Sequence, residues 1–304
     1  MTRPSSTAHA SRPSDATAPP LAIGSTLPPV VLLRGAGDLG SGVAVALAQA
    51  GVPLVIVDLP RPTGLRLTAS LSAAALSGEA KVAGVTATRC ESEPELLAAM
   101  ARGHVPLWTA DEHALRARVQ LRALVDARMR GLTDRRVSRD DAPVVIALGP
   151  GHCAGVHCHY VIETNRGPDL GRVIKRGPPE RHTGLPGLVA GERARRLVRA
   201  PLGGRVRRRA QIGDRVAAGE VVAEVDGAPA LAAIDGMVRG LKLDGIVVAR
   251  GDKIGDIDPR CDRSLLAMPS DKSERIGQAV LNALRAAEAE ANALEHESVE
   301  NTCT

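Results

Sequence analysis

The sequence predicts an α/β protein in which a Rossmann-like parallel-sheet domain is followed by a small, duplicated β-barrel or sandwich. A G-x-G-x-x-G pattern, formed by Gly35, Gly37 and Gly40, follows an apolar run of strand length at residues 30–33, as in dinucleotide-binding strand–loop–helix units. Further along the chain, residues 199–258 contain one glycine- and valine-rich pattern twice, at a constant offset of 32 residues. Short strands that are duplicated once favour a two-fold β-barrel or sandwich.

The glycine pattern predicts a phosphate-binding loop. Residues 43–49 are apolar enough for a helix packed on a sheet, and a second apolar run at residues 54–57 ends in Asp58. Glycines at positions 35, 37 and 40 allow a tight turn and the close approach of a pyrophosphate to a helix N-terminus. Asp58 is placed to accept a hydrogen bond from a ribose hydroxyl. The alternative is a tight turn that needs glycine only for packing.

Charged residues near the predicted strand ends are the other ligand-binding candidates. Asp38 lies within the glycine loop, where a carboxylate would repel a pyrophosphate; it could bind a hydroxyl-bearing or metal-bound ligand, or act as the first-turn acid of the helix. Arg66 could hold an anionic group with its planar guanidinium. Asp111, Asp126 and Arg128 lie near strand ends, where the ligands of parallel sheets bind. For each of these residues the alternative is a surface ion pair.

The chain divides into five predicted segments: a disordered lead-in at 1–29, the sheet domain at 30–151, an irregular connection at 152–198, the duplicated β-domain at 199–260, and a C-terminal helix and tail at 261–304. Within the sheet domain, we expect helices at 65–77 and 93–101 and strands at 81–88, 105–108, 123–125 and 144–148. Short strands are expected near 160–162 and 172–174. Ser273 is the predicted cap of an amphipathic helix that runs to about residue 294.

The duplicated pattern pairs Gly204, Val206, Gly213, Val216, Gly219, Val222 and Val225 with Gly236, Val238, Gly245, Val248, Gly251, Ile254 and Ile257. Its spacing is similar to half of a biotinyl/lipoyl-type carrier domain. Such carriers present a modified lysine on the hairpin between their halves, but the predicted hairpin here is Asp226-Gly227-Ala228 and no lysine occurs between Lys175 and Lys242. We therefore expect a domain without a swinging arm, in which the paired glycines occupy turns that need φ > 0 or close approach.

Composition narrows the class of protein. The 304 residues are 44% hydrophobic but include one Trp, one Tyr and no Phe, which argues against single-stranded nucleic-acid binding because such sites depend on aromatic stacking. The net charge is +5. The arginine cluster at 205–209 is interpreted as a solvated turn of the barrel, with a binding patch for an anionic partner as the alternative. Five cysteines without a framework spacing favour a reducing compartment. Without a secretory or membrane-spanning pattern, we expect a cytoplasmic protein.

One loop carries residue types that bind metals. Its candidate ligands are His152, Cys153, His157, Cys158 and His159. Thiolate and imidazole groups suit Zn²⁺ or a late transition metal. The C-x4-C spacing is looser than that of a zinc knuckle, and no second Cys/His pair follows at finger distance. The alternative is a glycine-rich loop whose Cys and His residues have no shared ligand.

Several strings occur in the order and near-spacing of a known family. They are R-G-A-G-D-L-G-S-G at 34–42, V-D-A-R-M at 125–129, A-L-G-P-G at 147–151, V-I-E-T-N-R-G at 161–167, D-L-G-R-V-I at 169–174, T-G-L-P-G at 183–187 and K-I-G-D-I-D-P-R at 253–260. On these strings, residues 30–285 resemble the YqeB-type proteins of selenium-dependent molybdenum hydroxylase maturation, which are related to the XdhC group of molybdenum-cofactor chaperones.

The resemblance implies an accessory protein that prepares or inserts the molybdenum cofactor of a molybdenum hydroxylase apo-enzyme. A molybdopterin dinucleotide has the pyrophosphate and ribose that the glycine loop and Asp58 would recognise. Two alternatives stay open: an NAD-dependent oxidoreductase that uses the same loop, with His104 and His113 as its only candidate acid/base groups, and a scaffold without catalysis. No nucleophile elbow, H-E-x-x-H or P-loop is present, so no catalytic residue is assigned. The sequence leaves open whether the protein forms a homo-oligomer.

Overall fold

The computed structural model describes residues 27–129, 137–181 and 186–300. Apart from its last three residues, the predicted lead-in at 1–29 therefore lies outside the described residues, as do the last four residues of the chain. The described chain forms one large mixed sheet with helices on its faces and, after it, two smaller antiparallel sheets. The predicted mixed α/β class is confirmed.

The large sheet has nine strands: β1 (Val30–Arg34), β2 (Leu54–Val57), β3 (Glu79–Val82), β4 (Val85–Cys90), β5 (Val105–Trp108), β6 (Leu121–Asp126), β7 (Val145–Leu148), β8 (Tyr160–Ile162) and β9 (Val173–Ile174). Their order across the sheet is β3-β4-β5-β2-β1-β6-β7-β8-β9. Pairings from β4 to β8 are parallel, and the two edge strands are antiparallel. The neighbours of β1 are β2 on one side and β6 on the other, so the direction of winding reverses there, which is where open parallel sheets bind ligands.

Helices cover both faces of this sheet because the central strands are apolar on both sides, as buried parallel strands are. The helices are α1 (Asp38–Gln49), α2 (Ala74–Ser77), α3 (Glu93–Ala101), α4 (Glu112–Arg116) and α5 (Asp271–Glu300). The predictions of a helix after the glycine loop, of a helix at 93–101 and of strands at 105–108, 123–125 and 144–148 are confirmed.

The C-terminal helix α5 is part of the sheet region. It packs against α1 so closely that a Cβ on Gly42 would overlap Ser273 O, and one on Gly277 would overlap Gly42 O. Asp38 accepts a hydrogen bond from Ser270 at the start of the same contact, so the two helices run in the same direction. The predicted helix is confirmed, but it begins at Asp271 and packs on the core.

Two local predictions need correction. The segment 65–77 forms two 3₁₀ turns and α2, because the Ser70 hydroxyl bonds to Ala36 O and Ser72, and such side-chain bonds compete with a continuous helix. The single strand expected at 81–88 is the hairpin β3–β4, turned at Ala83 and Gly84, which both have positive φ. The short strands expected near 160–162 and 172–174 are confirmed as β8 and β9, and they extend the large sheet beyond residue 151.

The β-domain that follows has eight strands: β10 (Leu197–Arg199), β11 (Gly204–Arg208), β12 (Arg215–Val216), β13 (Val221–Val225), β14 (Ala228–Leu231), β15 (Gly236–Leu241), β16 (Val247–Val248) and β17 (Lys253–Asp258). They form sheets of order β10-β17-β15-β12 and β14-β13-β11-β16. Strands β11, β12 and β13 recur as β15, β16 and β17, and each sheet combines strands of both halves. Gly213, Gly219, Gly245 and Gly251 all have positive φ, so the predicted duplication and its glycine turns are confirmed.

The β-domain joins the sheet region through the segment that follows β2. Leu241 N donates to Leu65 O at 3.0 Å, and Lys242 Nζ donates to Thr63 O at 2.9 Å. Arg61 donates to Asp244 O in the same contact. These three bonds fix residues 59–66 to the end of β15 and to the turn that follows it. None of the helices in the described ranges combines the length and apolarity of a membrane span.

Candidate nucleotide-binding site

A cavity of about 440 Å³ opens at the carboxyl ends of β1, β2, β5 and β6. We call it the main cavity. The sequence candidates that line it are Gly35, Gly37, Asp58, Asp111 and Arg128. Its outer wall is the segment 59–64, the same segment that the β-domain holds. The reversal of winding at β1 thus places the predicted loop and acid at one concave surface.

The three glycines of the loop have three different structural roles. Gly35 has φ +88°, a conformation that favours glycine. A Cβ on Gly40 would overlap the carbonyl oxygen of Gly35, so glycine there lets α1 start close to the loop. Gly37, at the N-terminus of α1, has φ −62° and would place a Cβ in open space. Only Gly37 therefore leaves room in front of a helix N-terminus, where anions bind.

Gly64 shares this property with Gly37. Its φ lies outside the left-handed region and a Cβ would meet no atom within 4 Å, so the described structure gives no packing reason for glycine. Both residues line the main cavity. Sequence reasoning missed Gly64, because a glycine after Pro62 and Thr63 is typical of any turn.

Asp58 lies at the end of β2 and faces the main cavity. Its Oδ2 accepts from Ala36 N at 2.8 Å and its Oδ1 accepts from Leu59 N at 2.7 Å. The carboxylate therefore fixes the glycine loop to the strand end. A carboxylate oxygen accepts more than one hydrogen bond, so this role leaves capacity for a ligand hydroxyl.

Asp126 and Arg128 form a rigid pair at the end of β6. Arg128 Nε and Nη2 donate to the two carboxylate oxygens of Asp126 at 2.9 and 2.7 Å. Burial alone would raise the pKa of Asp126, but the hydrogen bonds and charge of Arg128 outweigh it and keep the pKa below its ordinary value. Asp126 is buried and does not line the main cavity; it holds the Arg128 side chain that does.

A second arginine pair at the cavity was missed by sequence reasoning. Arg34, at the end of β1, donates to Glu112 through Nε at 2.9 Å and through Nη2 at 2.6 Å. Glu112 stands in the first turn of α4, whose cap is the carboxylate of Asp111. The position of Arg34 at a strand end was a usable signal, but its partner is 78 residues away in the sequence. The four residues Arg34, Asp111, Glu112 and Arg128 also line an adjoining cavity of about 670 Å³.

Asp38 and Arg66 are not at the main cavity. Arg66 Nη1 donates to Asp38 Oδ1 at 2.6 Å, and its Nη2 donates to Leu265 O and Met268 O. Both line a separate cavity of about 240 Å³ between the glycine loop and β17, which we call the junction cavity. The two residues therefore form the ion pair that was the alternative for each of them, and they line the junction cavity and not the main cavity.

The candidate metal ligands of the loop at 152–159 are not grouped together in this structure. His157 Nδ1 accepts from Cys153 N and His159 Nδ1 accepts from Val145 N, both at 3.0 Å. Burial raises the pKa of Cys158 to about 12, whereas a metal requires the thiolate. Within the described ranges, which include the whole loop, no three His, Cys, Asp or Glu side chains are grouped to hold a metal ion. Two of the candidate histidines are instead bonded to backbone N–H groups, one in the loop and one at the start of β7.

The sequence relationship agrees with this arrangement of motifs. The chain is 42% identical to the uncharacterized protein YqeB of Escherichia coli (strain K12) over 255 residues, which are 84% of this chain and 47% of YqeB. The chain is a homologue of YqeB. It spans about half the length of that relative. Because YqeB is itself uncharacterized, the relationship assigns no activity, ligand or partner.

Other comparisons are weaker. No protein-family model matches the chain. Among solved structures, an aspartoacylase family protein from Mesorhizobium loti aligns with a TM-score of 0.24 at 15% identity, over 75% of this chain and 84% of that one. A succinylglutamate desuccinylase/aspartoacylase from Rhodobacter sphaeroides aligns with a TM-score of 0.21 at 15% identity, over 72% of this chain and 62% of that one. Similarities at this level carry no argument about fold or function.

Proposed function

We propose that the protein binds a nucleotide-containing ligand in the main cavity, with a phosphate or pyrophosphate at the glycine loop. The observation that carries this proposal is the open space in front of Gly37 at the N-terminus of α1. In dinucleotide-binding loops, the first glycine makes the turn, the second lets the pyrophosphate approach and the third lets the helix pack. Gly35, Gly37 and Gly40 divide these roles in the same order.

The other groups at the main cavity suit such a ligand. Asp58, at the end of β2, can accept from a ribose hydroxyl. Arg128 and Arg34 place guanidinium groups beside the loop, each paired with a carboxylate. Asp38, whose carboxylate would oppose a pyrophosphate, is neutralised by Arg66 at 2.6 Å and faces the junction cavity. The objection that an acid inside the loop disfavours a phosphate is thereby weakened.

We infer further that the ligand is a pterin dinucleotide and that the protein is a maturation factor for the molybdenum cofactor of a molybdenum hydroxylase. The support is the resemblance of the ordered strings to YqeB-type maturation proteins, together with the 42% identity to YqeB. The same proposal treats the sheet region as a Rossmann-like domain and the β-domain as similar to a biotinyl/lipoyl-type domain. The Asp226–Gly227 hairpin turn, with both residues at positive φ, carries no lysine, so the β-domain would serve as a fixed wall and docking module.

The oxidoreductase alternative has less support. Hydride transfer to or from a hydroxyl substrate needs a general acid or base within hydrogen-bond reach. No His or Tyr is among the described residues that line the main cavity. His104 Nδ1 is bonded to Thr88 at 2.9 Å, and His113 lines the adjoining cavity on the far side of Glu112.

Mass spectrometry and absorbance of the ligand released from purified protein test the proposal. The protein is prepared from a molybdenum-hydroxylase-producing host, beside a Gly37→Val variant handled identically. We expect a pterin nucleotide from the native protein and none from the variant. A nicotinamide nucleotide would support the oxidoreductase instead. Equal ligand content in the two preparations would refute binding at the glycine loop.

A further inference from the structure

A cluster of charged side chains fills the junction between the sheet region and the β-domain. Five basic groups share three carboxylates there. The basic groups are Arg66, Arg196, Arg239, Lys253 and Arg260, and the carboxylates are Asp38, Asp256 and Asp258. The cluster therefore has two more positive than negative charges. Arg66, Arg196, Asp256 and Asp258 are buried, whereas the side chains of Lys253 and Arg260 are 37% and 40% exposed. Buried charges are normally matched by partners of opposite sign.

The donors of this cluster also exceed its acceptors. Arg66, only 9% exposed, and Arg239 each have a buried Nε atom with no hydrogen-bond partner among the residues that the structure describes. The Lys253 ammonium lies 3.6 Å from Asp256 Oδ2, which is longer than a normal hydrogen bond. Asp256 is already bound by Arg196 at 2.8 Å. Unsatisfied buried donors in a native protein call for an acceptor, such as a water or an anion.

The backbone is shaped to bring these charges together. Arg239 is the extra residue of an irregularity in the β15–β17 pairing, between Val238 and Gly240, and bulges of this kind redirect a side chain, often beside a functional site. Burial lowers the pKa of Arg239, and the nearby charge of Arg66 lowers it further. Burial also lowers the pKa of Lys253. Both effects would be relieved by an anion.

The junction cavity gives such an anion a place. Its volume of about 240 Å³ is lined by Arg66 and Lys253, which come from the two regions, by the carboxylates of Asp38 and Asp256, and by Gly64, which also lines the main cavity. The two carboxylates are already bound by arginines, Asp38 by Arg66 at 2.6 Å and Asp256 by Arg196 at 2.8 Å. We propose that the junction cavity is a second anion-binding site, in which a phosphate group lies between Lys253 and Arg66. The phosphate is either free or a part of a nucleotide that extends past Gly64. The site does not depend on nucleotide binding in the main cavity.

The probe for this site is inorganic phosphate, titrated into the full chain and followed by calorimetry and thermal unfolding. The variants are Lys253→Gln, Lys253→Arg and the control Arg207→Gln, which removes the same charge from an exposed position of the β-domain. Because a charge-assisted hydrogen bond is lost, Lys253→Gln should weaken phosphate binding about tenfold or more. Lys253→Arg and Arg207→Gln should bind as the native protein does. Circular dichroism establishes that each variant is folded.

Thermal unfolding without phosphate is a second readout. If the excess charge is real, Lys253→Gln is at least as stable as the native protein without phosphate and loses its advantage when phosphate is added. Equal phosphate-dependent stabilisation of the native protein and Lys253→Gln would overturn the proposal, as would the absence of any phosphate binding. Competition with ADP identifies the source: displacement of phosphate by ADP indicates a nucleotide phosphate, and independent binding indicates free phosphate. Failure of ADP to bind at all would count against the main-cavity proposal alone.

Discussion

Glycines serve different purposes in the two regions of this protein. In the β-domain, two turn glycines of the first half have a counterpart 32 residues away with the same backbone conformation: Gly213 and Gly245 have φ of +101° and +72°, and Gly219 and Gly251 have +88° and +85°. In the loop at 35–40, each glycine has a role of its own. Repetition therefore indicates architecture, whereas a glycine without a structural requirement indicates a ligand.

The largest effect on folding is expected at the packing glycine of the loop. In Gly40→Ala, the new methyl would overlap the carbonyl oxygen of Gly35, and neither backbone can move without separating α1 from β1. We expect a loss of about 3 kcal/mol in the free energy of unfolding, at the upper end of overpacking costs. Urea unfolding measures it. A loss below that of an ordinary surface substitution would show that the loop is not tightly packed.

Gly37→Val should reduce the free energy of nucleotide binding nearly as much as Gly40→Ala reduces the free energy of unfolding. It should leave the stability of the ligand-free protein almost unchanged. Its side chain would occupy open space at φ −62°, so the ligand-free protein should unfold at almost the native urea concentration. Nucleotide affinity should fall at least about 100-fold, or roughly 2.7 kcal/mol, because the phosphate would lose its place. Isothermal calorimetry with ADP as the probe measures this. Unchanged affinity on a folded variant would exclude the glycine loop as the phosphate site.

The sequence predicted the elements that depend on local pattern. The apolar runs of β1, β2, β5 and β7 and the constant offset in the β-domain were sufficient, because a buried parallel strand and a repeated turn each leave a continuous signature. The segment 65–77 was misread because its apolar composition suits a helix, while the hydroxyl of Ser70 bonds to Ala36, 34 residues away. Such a tertiary bond has no local signature.

The sites were harder to predict than the strands. The positions of Asp58 and Arg128 at the main cavity follow from the rule that parallel sheets place ligands at strand ends. The pairing of Asp38 with Arg66 at a different cavity has no signal in the sequence, because the two residues are 28 positions apart. The charge cluster at the junction was missed, because its cations and carboxylates come from segments as distant as Asp38 and Lys253 and have no shared motif.

Asp58→Ala tests whether Asp58 binds the ribose of the ligand, and we expect an intermediate loss of affinity. The variant loses an acceptor for a ribose hydroxyl and the bond to Ala36 N, so ADP affinity should fall by about 2 kcal/mol. The native protein should prefer ADP to 2′-deoxy-ADP, and the variant should not. Asp58→Asn, which keeps an acceptor for the loop, is the matched control. Equal affinity of the native protein for the two nucleotides would reduce Asp58 to a structural role.

A smaller effect is expected at paired turns of the β-domain, where function plays no part. Gly219→Ala and Gly251→Ala each force a Cβ into the left-handed region, at φ +88° and +85°, with no neighbouring atom in contact. Each should lower the free energy of unfolding by about 1 kcal/mol, and the two losses should be equal. ADP affinity should be unchanged in both. Clearly unequal losses would show that the two halves no longer share one turn geometry.

The smallest effect is expected at Gly64. The sign of the change in the free energy of unfolding there distinguishes a glycine required by the fold from a glycine that borders a ligand. Gly64→Ala adds a methyl in open space at an ordinary φ, so by restricting the unfolded chain it should stabilise the ligand-free protein by about 0.5 kcal/mol. The same methyl projects at the wall shared by the main and junction cavities, where it should weaken ADP binding about threefold, or roughly 0.6 kcal/mol. A glycine kept for the fold cannot respond in this way, because its replacement lowers stability. If Gly64→Ala destabilises the protein and leaves ADP affinity unchanged, Gly64 belongs with the turn glycines of the β-domain, and the absence of a structural requirement no longer identifies a ligand wall.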